Sequence, residues 1–152
     1  MEQKDIDQFI ELSPEQLSNQ LENRVSYEIY KSKKSTWSEI KTVIHALQSL
    51  QKQFDQRNQK IEIYTDCQSL CDLLGRRKEK LEENNFITSR GSLLQNAELY
   101  KELYLITNKF QVIIFKVKGH QAKSNTMVWQ EKIFTILDKL SRKKLRSVLK
   151  NA

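Results

Sequence analysis

Apolar and polar positions along the chain alternate with two distinct periods. Ser13-Pro14-Glu15-Gln16 has the form of a helix start, with Ser13 as cap, Pro14 at the first helical position and Gln16 reaching back. A short helix to about Leu21 follows. From Arg24 to Tyr30 the period is two: Val25, Tyr27 and Ile29 face one way and Ser26, Glu28 and Tyr30 the other. That pattern predicts a half-buried strand. From Thr36 to about Phe54 the period becomes helical, with Ile40, Val43, Ile44, Leu47 and Leu50 on one face. Lys60–Thr65 (KIEIYT) predicts a short strand, and Gln68–Leu74 a short helix stopped near Gly75. The charged run RRKEKLEENN predicts a loop or a frayed helix end. A second amphipathic helix is expected from Asn96 to Phe110, through Leu99, Leu103, Tyr104 and Ile106. Gln111–Lys118 (QVIIFKVK) is nearly continuous apolar, as in a strand buried on both faces. A third long helix runs from Trp129 to Leu149 through Ile133, Ile136, Leu137 and Leu140.

Strands that alternate with helices predict an α/β layer structure with at least two parallel strands. In such sheets chemistry gathers at the carboxyl ends of the strands.

Composition narrows the class. The chain has 152 residues, enough for one domain with a real core. No apolar run approaches the ~20 residues of a membrane span. The start MEQKDIDQ lacks the basic-then-apolar pattern of a signal peptide. Two cysteines make no disulfide framework. A soluble, intracellular, cytoplasmic protein is therefore expected. The net charge is +7, unevenly spread. Residues 1–22 hold six acids against Lys4, a balance of −5, so the remainder carries +12. A body that basic commonly meets a polyanion, although lysine-rich solubilisation gives the same count. The expected organisation is an acidic lead with a short helix over 1–23, then a domain over 24–150.

Four residues stand where chemistry is expected. Asp66 follows the strand IEIYT directly and so lies at the rim of the sheet, but Asp is also a favoured N-cap for the helix QSLCDLL. Glu39 sits early in its helix, one turn before Val43 on the inward side. Thr36-x-x-Glu39 equally forms a capping box. Asp138 lies inside the last helix, where pairing with Arg142 one turn on is the plain alternative. His120 follows a strand through Gly119, at the same rim as Asp66 if the two strands are parallel. Cys67 and Cys71, four apart, lack the further Cys or His ligands that zinc needs, and read as small buried residues.

The run Ile63-Tyr64-Thr65-Asp66-Cys67-Gln68-Ser69-Leu70 resembles the strand-to-helix signature YTDSQ of type 1 ribonuclease H domains. Lys116-Val117-Lys118-Gly119-His120 resembles that family's VKGH segment, and Leu94–Tyr100 the helix before it. Ser35–Val43 is similar to the helix that carries a catalytic Glu near its start. Leu137–Lys143 is similar to the final helix with its last carboxylate. The likeness runs from about Arg24 to Arg146, in the family's order. It implies a ribonuclease H-like mixed sheet flanked by helices. It implies an endonuclease that hydrolyses the RNA strand of an RNA–DNA hybrid by two-metal catalysis with Mg²⁺ or Mn²⁺. Glu39, Asp66 and Asp138 would be metal ligands, and His120 would assist proton transfer or product release.

The resemblance has a gap. The family's first strand, with its catalytic Asp and glycine-rich hairpin, has no counterpart here, and RVSYEIY matches the third strand by position. The fold is therefore expected to be incomplete at its N-terminal side, with a weakened metal site and impaired activity. A truncated product, an inactive nucleic-acid-binding relative, or substitution by Glu28, Asp5 or Asp7 would each account for it. A DNA-directed nuclease of the same superfamily is a further alternative. Basic clusters at Lys33 and Lys34, at Arg76 and Arg77, at Lys118, and at Arg142 and Lys143 are candidate phosphate contacts; solvated faces are the alternative.

Overall fold

A computed structural model of the chain describes residues 11–27, 29–30, 34–53, 59–118 and 129–151. The elements are α1 (Pro14–Glu22), α2 (Ser35–Gln53), β1 (Lys60–Thr65), α3 (Gln68–Leu74), α4 (Lys78–Glu83), α5 (Ala97–Thr107), β2 (Gln111–Lys116) and α6 (Trp129–Lys150). This is the expected mixed α/β class, a small parallel sheet flanked by helices. The chain divides into two compact units, residues 30–116 and the described parts of 1–29 with 117–152.

The unit over 30–116 holds the sheet. β1 and β2 pair in parallel, with Ile61 opposite Val112, Ile63 opposite Ile114 and Thr65 opposite Lys116. Residues two apart share a face, so Ile61, Val112 and Ile114 turn together onto the core. That core is built from Ile40, Ile44 and Leu47 of α2, Leu70 and Leu73 of α3, and Leu99, Leu103 and Ile106 of α5. These are the apolar positions that the helical periods picked out. The other face of the sheet carries Glu62, Tyr64, Ile113 and Phe115, with the two rings stacked at 5.0 Å. β2 is thus not buried on both faces as its composition predicted. Ile113 and Phe115 stay about 40% exposed, because only one face meets helices of this unit.

The charged run after Gly75 is also more ordered than expected. Lys78–Glu83 forms a short helix, held by burial of Leu81. Beyond it Asn85 and Phe86 both adopt positive φ (49° and 59°). A non-glycine residue held there costs about 1–3 kcal/mol, so the neighbours must over-determine it. They do: Phe86 is buried against Tyr104, its N–H donates to the Leu81 carbonyl (2.9 Å), and its carbonyl accepts from Leu94 (2.8 Å). Tyr104 in turn donates its hydroxyl to the Leu73 carbonyl at 2.7 Å. Burial pushes this phenol up to about 12. Tyr104→Phe is expected to cost about 1 kcal/mol or somewhat more, since the buried carbonyl loses its donor. Urea unfolding measures the cost; an unchanged midpoint would show that the hydrogen bond contributes nothing net.

The second unit is built on α1 and α6. The predicted capping box is present: Ser13 Oγ accepts from the Gln16 N–H (3.2 Å), and Gln16 Oε1 accepts from the Ser13 N–H (3.0 Å). Leu17 and Leu21 pack with Ile133, Ile136 and Leu140, the expected stripe of the last helix.

The predicted strand at 24–30 is a correction: its described residues form no strand. The alternation has another cause. Val25 and Tyr27 are half-buried against the α1–α6 cluster, Ile29 is left about half exposed, and Tyr30 meets the Trp37 ring edge-on at 5.1 Å. A period of two satisfied by helical side chains leaves the backbone without a ladder.

Candidate active site

Parallel pairing brings the carboxyl ends of β1 and β2 to one rim, as expected. Asp66 is the first residue past β1. It does not cap α3: the cap position belongs to Cys67, which makes no side-chain capping bond. The turn is held instead by buried Thr65, whose Oγ1 accepts from the Cys67 N–H at 3.0 Å. Asp66 is left exposed at the rim, and its carboxylate forms no ion pair among the described residues.

Glu39 reaches the same place from α2. The helix begins at Ser35, one residue before Thr36, so Thr36 is inside it and Glu39 lies beyond the first turn. The capping-box alternative fails on that geometry. Glu39 is half-buried beside fully buried Ile40. Burial pushes its carboxyl above the usual 4.5, and the negative charge of Asp66 pushes it further in the same direction. The two acids therefore sense each other across 27 residues of sequence.

Lys116 is the residue that sequence reasoning missed. It ends β2 opposite Thr65 and donates from Nζ to the Asp66 carbonyl. Its signal was available: a cation closing the strand that pairs in register with the strand before Asp66. Cys71 lies near this group, and burial pushes its thiol up, only partly offset by Lys116. A thiol held protonated is a poor metal ligand, in keeping with the rejection of zinc. Both cysteines are free and only partly buried, so their expected full burial is corrected.

Asp138 lies in the other unit, paired with Arg142 (Nη2 to Oδ2, 2.7 Å) as its plain alternative foresaw. His120, Lys33, Glu28, Asp5 and Asp7 lie outside the described residues. Of the basic candidates, Arg76 is tied to Asp72 (2.9 Å) and Lys143 to Glu22 (3.0 Å), while Lys34 and Lys118 are exposed.

The chemistry of the donors fits a hard divalent cation in part. The Asp66 charge raises the proton affinity of Glu39, and a divalent cation beside the two carboxylates would relieve that. Among the described residues no group of three or more His, Cys, Asp or Glu assembles, so Glu39 and Asp66 do not by themselves make a two-metal centre.

The burial of Glu39, with the Asp66 charge added to it, has a pH signature. Folding raises the Glu39 value, so between about 4.5 and the folded value the native state binds more protons than the unfolded chain. This contribution to stability is present below about 4.5 and lost as pH rises through the folded value. Asp72, held down at about 2 by Arg76, changes only below its ordinary 3.8 and leaves that window alone. Glu39→Gln is expected to be more stable than the parent at pH 7.5 and to lose less stability between pH 4.5 and 7.5. Paired urea titrations check it; identical pH slopes would show that neither burial nor the Asp66 charge raises the Glu39 carboxyl.

The RNase H family model matches residues 16–131 of this chain. The ribonuclease H of Francisella tularensis subsp. novicida (strain U112) is 32% identical over 105 residues, which is 67% of this chain and 66% of that protein. The ribonuclease H of Thermoanaerobacter sp. (strain X514) is 34% identical over 83 residues, 54% of this chain and 50% of that protein. The chain thus spans 66% or less of the length of these two relatives. It belongs to the RNase H family. Among the described residues no helix is long and apolar enough to cross a membrane.

Proposed function

We propose that the chain is a ribonuclease H-type endonuclease that hydrolyses the RNA strand of RNA–DNA hybrids. The observation that carries the reading is a half-buried Glu39 that feels the charge of Asp66, the residue at the strand rim of a family member. Glu39, Asp66 and Asp138 are the proposed ligands of Mg²⁺ or Mn²⁺, which would supply charge stabilisation and water activation. Lys116 orients the turn that presents Asp66. His120 is the proposed proton-transfer or product-release residue. Lys33, Lys34, Arg76, Arg77, Lys118, Arg142 and Lys143 are the proposed phosphate contacts. Hybrid recognition would rest on A-form shape and 2′-hydroxyls rather than on sequence.

The test incubates purified protein with labelled hybrid, duplex DNA, branched DNA and single-stranded RNA, with Mg²⁺, with Mn²⁺ and with chelator. Metal-dependent cutting of the hybrid's RNA strand alone is expected. Preferential cutting of DNA would assign the chain to a DNA-directed nuclease. Salt-sensitive hybrid binding without cutting would make it a binding module of the same fold.

A further inference from the structure

Both thiols of the chain stand together beside the strand rim, and the proposed hydrolysis uses neither. Cys67 holds the cap position of α3, with extended backbone (φ −84°, ψ 105°) and no capping bond from its side chain. Cys71 lies one turn on, and its N–H donates to the Cys67 carbonyl at 3.2 Å. Positions four apart share a helix face, with Cβ atoms about 5–6 Å apart. The Cys71 thiol is within electrostatic reach of both the Cys67 thiol and the Lys116 ammonium. Both thiols are free and only partly buried, so a small ion reaches them without unfolding.

Distance and ligand count separate three fates of such a pair. A disulfide needs Cβ atoms about 3.5–4.5 Å apart, so the helical spacing is too wide unless the first turn unwinds. Tetrahedral zinc needs about four ligands. Among the described residues no group of three or more His, Cys, Asp or Glu assembles. A single ion held in line by two sulfurs fits. Two metal–sulfur bonds of about 2.3 Å span about 4.6 Å, which side chains turning about one bond reach from that spacing.

Charge and softness narrow the ion further. Two thiolates and a univalent ion leave one negative charge, and the Lys116 ammonium, held at the Asp66 carbonyl, balances it. A divalent ion would make the pair neutral and leave that ammonium uncompensated. Burial holds the proton on Cys71, so the ion must displace it, which favours soft ions with a strong preference for thiolate. We propose that Cys67 and Cys71 form a two-thiolate site for a soft univalent metal ion of the copper(I) class. On binding, each thiol gives one proton to solvent and forms one sulfur–metal bond, and no electron is transferred. The site adjoins the turn that presents Asp66 but uses no carboxylate, so it is independent of whether the chain cleaves hybrid.

The experiment titrates the whole chain with copper(I), without oxygen, against a chromophoric copper(I) chelator. Silver(I) serves as a redox-inert counterpart and zinc as a contrast. Excess Mg²⁺ is present throughout to occupy carboxylates. Native mass spectrometry is expected to find one copper(I) or silver(I) ion per chain. Cys67→Ser is expected to weaken binding more than about 100-fold, since even outer partners of metal ligands cost about 10–100-fold when replaced. Serine is a favoured cap, so this variant keeps α3. Lys116→Met keeps the apolar stem, removes the charge, and is expected to weaken binding about tenfold. A variant with Cys67→Ser and Cys71→Ser retains Met1, Met127, His45 and His120, and so measures uptake by the other soft donors. The proposal is overturned if either serine variant binds as tightly as the parent, if zinc binds more tightly than copper(I), if Lys116→Met binds no worse, or if one ion bridges two chains. Circular dichroism confirms that each variant is folded.

Discussion

Asp66→Asn is expected to lower metal-dependent hybrid cleavage by more than about 100-fold. Even outer partners of metal ligands cost about 10–100-fold when replaced, and the proposed role of Asp66 is direct. The change keeps size and removes charge. The side chain is exposed, and the turn is held by Thr65 rather than by this carboxylate, so folding should survive. A second readout separates site chemistry from damage. With the Asp66 charge gone, Glu39 loses one of its two upward pushes, and its carboxyl should titrate lower, with burial still holding it above 4.5. NMR titration of the Glu39 side-chain carboxyl follows this directly. Cleavage that persists in Asp66→Asn would sink the assignment. Lost cleavage with an unmoved Glu39 would mean that the two acids do not form one site.

Leu103→Ala should be among the most damaging single truncations in the sheet-bearing unit. Leu103 is fully buried, in the core shared by α2, α3 and α5. Leu→Ala at such sites costs about 2–5 kcal/mol, through lost transfer energy and the cavity left behind. Typical domains have only about 5–15 kcal/mol in total, so the variant approaches the unfolding threshold. Leu105→Ala, two residues on and 70% exposed, should stay within about 0.5 kcal/mol. Denaturant melts of the pair measure the difference. Equal costs would mean that α5 faces the core by another side than the one described.

Most of the secondary structure was legible because helical apolar stripes are long and repeat. The α5 stripe through Leu99, Leu103, Tyr104 and Ile106 is buried at all four positions. Short elements were less legible. Leu81 alone anchors α4 within a run of charges, and no period can be read from one residue. The alternation at Val25, Tyr27 and Ile29 was real, but it records which side chains face a neighbour, not whether the backbone has a partner strand.

For the site, Asp66 was legible from its position after KIEIYT, and Glu39 from its place among inward residues. Each, taken alone, had a local explanation in the sequence that outweighed the functional one. Those explanations concern caps, and caps are decided by where a helix begins, to within a residue. α2 starts at Ser35, two positions before a Thr36 cap would need, and α3 at Gln68, one position after an Asp66 cap would need. For Asp138 the local pairing is present, since its i,i+4 partner Arg142 lies within bonding distance.

The sequence by itself determined the helical stripes, the two strands of the sheet, the capping box at Ser13 and the family motifs around Asp66. All depend on neighbours within a few residues, whose spacing is written in the chain. Only the tertiary structure decided the rest. It put Glu39 within electrostatic reach of Asp66, placed Lys116 beside that turn through strand register, and left one sheet face open within its unit. These are meetings between distant segments, set by how the elements pack.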